Sequence, residues 1–248
     1  MKPKTDIEIA AMRKSGNILG SVLAYIRSNV VAGMTPRQVS QIARDKTAEL
    51  GGEPAFAGFE GYPDIICIST NNEVQHSIPN DRSFEDGDIV NFDYGVRYEG
   101  MITDAGVTVC IGGKPDKAGA RLLKGTEQAL YAGLDVIKAG ARVGDISAAI
   151  EKVLRSHDLG IVRELVGHGV GHELHESPEI PNYGRAGTGP MLVAGMTIAI
   201  EPITTLGGHR IFASHDGWTL LTVDGSRSAQ FEHTVLVTTD GCEILTQA

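Results

Sequence analysis

The chain has 248 residues, 42% of them hydrophobic and 21% charged, with a formal net charge of −9. That length can bury a substantial core in one large domain or two small ones. The acidic balance excludes a broad nucleic-acid surface, so no direct nucleic-acid recognition is expected.

The N-terminal stretch MKPKTDIEIAAMRK has no signal-like apolar run, and no later stretch is long enough to span a membrane. Thr5 and Glu8 form a capping-box pattern ahead of a helix expected over residues 6–30, ended by Gly33. Thr35-Pro36 starts a second helix, with Val39, Ile42, Ala43 and Leu50 at helical spacing and a stop at Gly51-Gly52. A loop rich in glycine and aromatics follows over 56–63, then a strand over 65–69 and a polar loop holding His76. Cys67, Cys110 and Cys242 are few, odd in number and without metal-pair spacing, which suits a reducing cytosol. A cytoplasmic protein with no membrane partner is expected.

Residues 88–111, DIVNFDYGVRYEGMITDAGVTVCI, read as a β-hairpin turning at Tyr98-Glu99-Gly100. Asp93 and Asp104 sit one on each otherwise apolar arm, where an unpaired carboxylate is costly. Their separation, 104 − 93 = 11, is odd, so the two are expected to oppose each other on one face. Two facing carboxylates repel unless they share a proton or a cation.

The pattern then repeats. A helix is expected over 118–137 and a second through Ile146, Ile150 and Leu154, stopped by Gly160, followed by a strand over 161–166. Lys138-Ala139-Gly140 echoes Val31-Ala32-Gly33, and residues 194–201 echo residues 86–93. The offsets agree: 140 − 33 = 107, 195 − 87 = 108 and 201 − 93 = 108. Glu201 therefore takes in the second half the place of Asp93 in the first. A strand over 230–237 carries Glu232 where the first hairpin carries Asp104. This reads as an internal duplication, helix-helix-strand-hairpin twice over, with halves at about 1–112 and 113–248 forming a single catalytic domain over 1–248. The class is α+β, with helices outside a curved antiparallel sheet.

Four carboxylates, Asp93, Asp104, Glu201 and Glu232, then converge, with His168 in Gly167-His168-Gly169-Val170-Gly171 as a fifth ligand. Taken singly, a strand aspartate is more often an edge or salt-bridge residue, and a histidine among glycines a satisfied structural one. Recurrence of acid for acid at a matched offset argues otherwise. Four carboxylates and one imidazole suit two hard or borderline divalent ions. Ions roughly 3.5–4 Å apart hold a hydroxide near neutral pH and polarise a carbonyl, which is hydrolytic chemistry. His168, His172 and His175 lie at helical spacing, but the glycines oppose a helix and His172-Glu173-Leu174-His175 is one residue short of H-E-x-x-H. His76 and His175 are either loop structure or donors to a substrate amide and oxyanion. Phe56, Phe59, Tyr62, Cys67 and Trp218 are equally core or the lining of a pocket suited to a thioether.

With these residues in place, nearly the whole chain resembles the type I methionine aminopeptidases of the pita-bread metallopeptidase fold. The motifs that carry the resemblance are Ser228-Ala229-Gln230-Phe231-Glu232-His233-Thr234, then Gly167 to Gly171 with His175-Glu176-Ser177-Pro178, Glu201-Pro202, and His215-Asp216-Gly217-Trp218-Thr219. The resemblance implies metal ligands at Asp93, Asp104, His168, Glu201 and Glu232, with Asp104 and Glu232 bridging two ions: Co²⁺, Mn²⁺, Fe²⁺ or Zn²⁺. It implies Glu201 as acid/base, His76 and His175 as substrate histidines, and a methionine pocket of Phe59, Tyr62, Cys67, Leu174 and Trp218. It further implies attack by a dinuclear metal-bound hydroxide, which removes the initiator methionine from nascent polypeptides with a small second residue, at the ribosome or free of it, by a monomer.

Phe59 stands where tyrosine is common in that family and Leu174 where phenylalanine is, and Gln75 and Ser77 flank His76 in place of Cys and Gly. Asp93-Tyr94-Gly95 and Asp104-Ala105 lean towards Xaa-Pro aminopeptidases and prolidases of the same fold. Those carry an extra N-terminal domain and a different motif around the last glutamate. A non-catalytic binding module of this fold is the other alternative; such a protein should have replaced ligands, and none is replaced here.

Overall fold

The computed structural model describes residues 2–247. Two helices open each half. α1 (Asp6–Asn29) starts with a reciprocal capping box, the Thr5 hydroxyl accepting from the Glu8 N–H while Glu8 accepts from the Thr5 N–H at 2.7 Å. α2 (Pro36–Glu49) repeats the device with Thr35 and Gln38 and carries proline in its first turn. α3 (Lys117–Leu134) is capped by Asp116, which accepts from the Gly119 N–H at 2.7 Å, and α4 (Val143–Ser156) follows it. Among the described residues no helix is long and apolar enough to cross a membrane.

The strands of the first half are β1 (Glu53–Pro54), β2 (Ile66–Thr70), β3 (Glu73–Gln75), β4 (Ile89–Tyr98) and β5 (Met101–Cys110). Those of the second are β6 (Gly160–Ile161), β7 (Gly167–Gly169), β8 (Glu176–Ile180), β9 (Thr197–Ile200), β10 (Ile203–Thr205), β11 (Ile211–Ala213), β12 (Leu220–Thr222), β13 (Ser228–Gln230), β14 (His233–Val237) and β15 (Cys242–Ile244). All pairings are antiparallel, in hydrogen-bonded sets ordered β1-β4-β2 with β5 on β4, β13-β10-β6, β11-β12-β3 and β15-β14-β9-β7-β8. The expected mixed class with outer helices and antiparallel sheet is observed.

Strand alternation puts Phe92 and Tyr94 on the opposite face from Asn91 and Asp93. The apolar face packs Ile66, Ile68, Val90, Phe92 and Tyr94 under Ile18, Leu19 and Val22 of α1 and Val39 and Ala43 of α2. In the second half Ile198, Ile200, Val235 and Val237 pack under Leu122 and Leu130 of α3 and Ile146, Ile150 and Leu154 of α4. Helices thus seal one side of the strands, and the polar side chains of the same strands turn to the other. The echoed glycines keep matched geometry. Gly33 and Gly140 have φ of +90° and +89°, and each donates its N–H over 2.9 Å, to Phe84 O and Leu192 O respectively. At such φ only glycine escapes a Cβ clash.

Three details correct the expectations. The hairpin turns on two residues, not three: Tyr98 pairs with Met101, and Glu99 and Gly100 both have positive φ, the two-residue turn that matches strand twist. The register therefore moves. Asp93 faces Gly106 and Asp104 faces Gly95, so the two carboxylates are diagonal neighbours on one face and do not oppose each other. The strand expected over 161–166 is only Gly160–Ile161, because β6 pairs solely with the short β10. The strand expected over 230–237 breaks at Phe231-Glu232, where its partner breaks at Glu201-Pro202. Pro202 has no N–H to continue the ladder.

Candidate metal centre and substrate cavity

Gln230 pairs with Ile203 and His233 with Ile200, so Glu201 and Glu232 face each other across the paired breaks. The first hairpin brings Asp93 and Asp104 to the same place. Backbone hydrogen bonds run both ways between Gly106 and Glu232, so β5 of the first half abuts the β13–β14 junction of the second. β7 pairs with β9, His168 opposite Ala199, which delivers the imidazole from the far side.

All five side chains are buried. His168 Nδ1 lies 3.0 Å from Gly169 O, so Nδ1 carries the proton and Nε2 presents its lone pair to the acids. Nε2 is 3.4 Å from Glu201 Oε1 and 4.0 Å from Asp104 Oδ2. Among the described residues no Lys or Arg forms a salt bridge with the four carboxylates. Burial pushes Asp93 up to about 7, against the pull of hydrogen bonds from Gln75 and Asp104. Burial first, then neighbouring negative charge, holds Asp104, Glu201 and Glu232 well above the usual carboxylate range. Burial drives His168 down to about 4. Asp93 Oδ1, Asp104 Oδ1 and Glu232 Oε1 have no hydrogen-bond partner among the described residues. Orphaned buried oxygens are costly, and a cation is what such oxygens lack.

Three groups of ligand atoms each lie within 4.8 Å of one another: Asp93, Asp104 and Glu232; His168, Glu201 and Glu232; and Asp104, His168 and His175. Asp104, His168 and Glu232 each belong to two groups. The donors are carboxylate oxygens and imidazole, with no thiolate, so the cluster fits first-row divalent ions.

The acids are held from behind. Gln230 Nε2 donates to Glu232 Oε2 at 2.9 Å, and Asn91 Nδ2 donates to Gln230 Oε1 at 2.9 Å. The Thr234 hydroxyl accepts from Asp104 N–H and donates to Asp104 O, at 2.9 and 2.7 Å. Asn182 Nδ2 donates at 2.9 Å to Glu201 O, the carbonyl released by the ladder break. These supporting residues were missed in the sequence. Gln230 and Thr234 did leave a signal, since both lie two positions from Glu232 and share its face.

The five expected ligands, His76, His175 and the five expected pocket residues all line one cavity of about 110 Å³. Beside the acids are His76 and His175, whose rings burial lowers in pKa. His76 takes φ +59°, a rare backbone for a side chain of its size, of the kind found at functional sites. The His175 ring stands edge-on to His168 and Phe59, with centroids 4.3 and 5.2 Å away. Tyr62 and Trp218 meet edge-to-face at 5.2 Å, and Cys67 and Leu174 complete the apolar side. Phe56, which the sequence left open between core and pocket, lines the cavity with Gln75, and so do Glu60, Leu165 and Ile203, which the sequence did not single out. Phe56 gains its room from Gly95, where a Cβ would lie 2.6 Å from the ring.

The profile of metallopeptidase family M24 matches residues 10–239. The chain is 40% identical to a methionine aminopeptidase of Clostridium perfringens over 243 residues, 98% of this chain and 97% of that one. It is 40% identical to a methionine aminopeptidase of Escherichia coli over 245 residues, 98% and 92% of the two chains. A crystal structure of methionine aminopeptidase from Thermotoga maritima superposes with TM-score 0.98 at 43% identity, covering all of both chains. A prolidase from Pyrococcus furiosus superposes at 0.79 with 23% identity over 65% of its length, which shows the shared fold alone. The chain belongs to metallopeptidase family M24 and has its pita-bread fold.

Proposed function

We propose that this protein removes N-terminal methionine from nascent polypeptides whose second residue is small. The observation that carries the reading is one cavity in which the carboxylate–imidazole cluster adjoins an apolar, aromatic pocket. Asp93, Asp104, His168, Glu201 and Glu232 would hold two divalent ions; Co²⁺, Mn²⁺, Fe²⁺ and Zn²⁺ all suit the donors. The chemistry that bound ions supply is Lewis acidity and a water made acidic near neutral pH.

The rest falls to the chain. Phe59, Tyr62, Cys67, Leu174 and Trp218 receive the methionine side chain, whose thioether packs well on aromatic rings. Glu201 takes a proton from the attacking water and returns it to the leaving amine, a task its place in the cavity among the clustered acids allows. His76 and His175, kept neutral by burial, each retain one ring N–H to donate, to the scissile amide and to the developing oxyanion. We read residues 1–248 as a single catalytic domain of two duplicated halves, acting as a cytoplasmic monomer on nascent chains, at the ribosome or free of it.

The test is a metal-loaded preparation assayed on Met-Ala-Ser and Ala-Pro. Cleavage of the first supports the reading. Cleavage of Ala-Pro with Met-Ala-Ser untouched would replace it with an Xaa-Pro peptidase.

A further inference from the structure

We propose that Lys4 is a positioning residue for His175, acting through Glu176. The inference rests on the role given to His175 above and adds a determinant remote in sequence.

Among the described residues no hydrogen bond holds the His175 ring; the turn that carries it and the packing of Phe59 and His168 set its place. That turn is fastened at three points. Ile102 N–H donates to Gly171 O at 2.7 Å, and Gly171 N–H donates to Glu173 O at 3.0 Å. The Glu176 carboxylate reaches back and accepts from the N–H groups of His172 and Glu173, at 2.7 and 3.3 Å. Glu176 is itself aimed by Lys4, whose Nζ lies 2.9 and 3.2 Å from its two oxygens. The Lys4 side chain has no solvent exposure and that of Glu176 has 15%.

The fold makes room for this strut. Gly171 has φ +149°, and a Cβ there would collide with Lys4 Cε. The Lys4 N–H donates to Gly195 O at 2.8 Å, so the backbone is pinned as well. From the outer side His172 Nε2 sits 2.7 Å from Glu8 Oε1 in α1. Removing one partner of a buried ion pair leaves the other charge uncompensated. Here the uncompensated group would be the carboxylate that braces the His175 turn. A residue 172 positions away from Glu176 therefore fixes where an oxyanion donor stands.

The experiment is a double-mutant cycle on Met-Ala-Ser hydrolysis with the metal-loaded protein, using Lys4→Met, His175→Ala and both together. Lys4→Met keeps an unbranched apolar stem and loses the charge. Lys4→Met is expected to lower kcat by on the order of tenfold to a hundredfold with little change in KM, because small misplacements of a catalytic group carry that cost. In the His175→Ala background the same change is expected to cost less than about twofold, the signature of residues acting as a unit. Equal losses in both backgrounds, or no loss in the wild-type background, would overturn the positioning role. Wild-type turnover in His175→Ala alone would overturn the reading of His175 itself, and the inference with it. If Lys4→Met does not fold, by circular dichroism, Glu176→Gln replaces it in the same cycle under the same criteria.

Discussion

Gly106 and Glu232 exchange backbone hydrogen bonds, 2.8 Å from the Glu232 N–H and 3.4 Å from the Gly106 N–H. This is where a strand of each half meets the other, and Glu232 is one of the clustered acids. Glycine is required because a Cβ at position 106 would collide with Gln230 Oε1. Gly106→Ala should displace Gln230 from both Asn91 and Glu232. Overpacking of this kind costs about 1–3 kcal/mol, and a lost supporting hydrogen bond costs roughly 10–100-fold in metal affinity. Chemical denaturation and metal titration calorimetry on the variant measure the two effects.

Glu201→Gln keeps shape and removes the group proposed to carry the proton. Turnover should fall on the order of 10²–10⁴-fold, with the circular dichroism spectrum intact. Wild-type turnover would reject the acid/base role.

On the proposed reading, His175→Ala removes one donor to the forming oxyanion. A loss of about 2–4 kcal/mol in transition-state stabilisation is expected. It is read as kcat/KM on a single peptide; an unchanged value excludes His175 from the reaction.

Trp218 closes the apolar end of the cavity against Tyr62. Trp218→Ala should narrow the preference for methionine over leucine, by about 0.5–1.5 kcal/mol if the lost edge-to-face pair sets the scale. The ratio of kcat/KM for Met-Ala-Ser and Leu-Ala-Ser is the measurement.

The pH dependence of the metal-stripped protein follows from Asp93, raised from 3.8 to about 7. Its folded form holds a proton that the unfolded chain releases, so stability falls as pH rises across that window. The contribution is complete below about pH 4 and gone above about pH 7. In chelator, Asp93→Asn should therefore melt higher than wild type at pH 8, with the advantage shrinking as pH drops towards 4. Excess Mn²⁺ should reverse the order at pH 8. Equal melting temperatures at every pH would contradict a buried, uncompensated carboxylate.

Much of this was legible in the chain because its signals are local. Thr5 with Glu8 and Thr35 with Pro36 announce helix starts, and both helices begin there. The echo of residues 86–93 at 194–201 pointed to Glu201 before any geometry was known. What escaped was set between distant segments. The register of Asp93 against Asp104 hangs on one residue of turn length, since the turn uses Glu99 and Gly100 alone. The break at Phe231-Glu232 answers a proline in its partner strand. Asn91 and Thr108 read as ordinary strand residues until folding lays Gln230 across them. Lys4 reads as a solvated terminal charge until Gly171 admits it beneath the turn.

The two pairs of acids differ in how the backbone around them is paired. The arm bearing Asp93 and Asp104 is laced through ten consecutive residue pairs from Ile89 to Tyr98, whereas Glu201 and Glu232 stand where both neighbouring ladders lapse. Continuous pairing places the two aspartates, whereas the two glutamates take their places from tethers behind them: Gln230 on the Glu232 carboxylate and Asn182 on the Glu201 carbonyl. A substitution at Gln230 or Asn182 therefore reaches the acids of the second half alone.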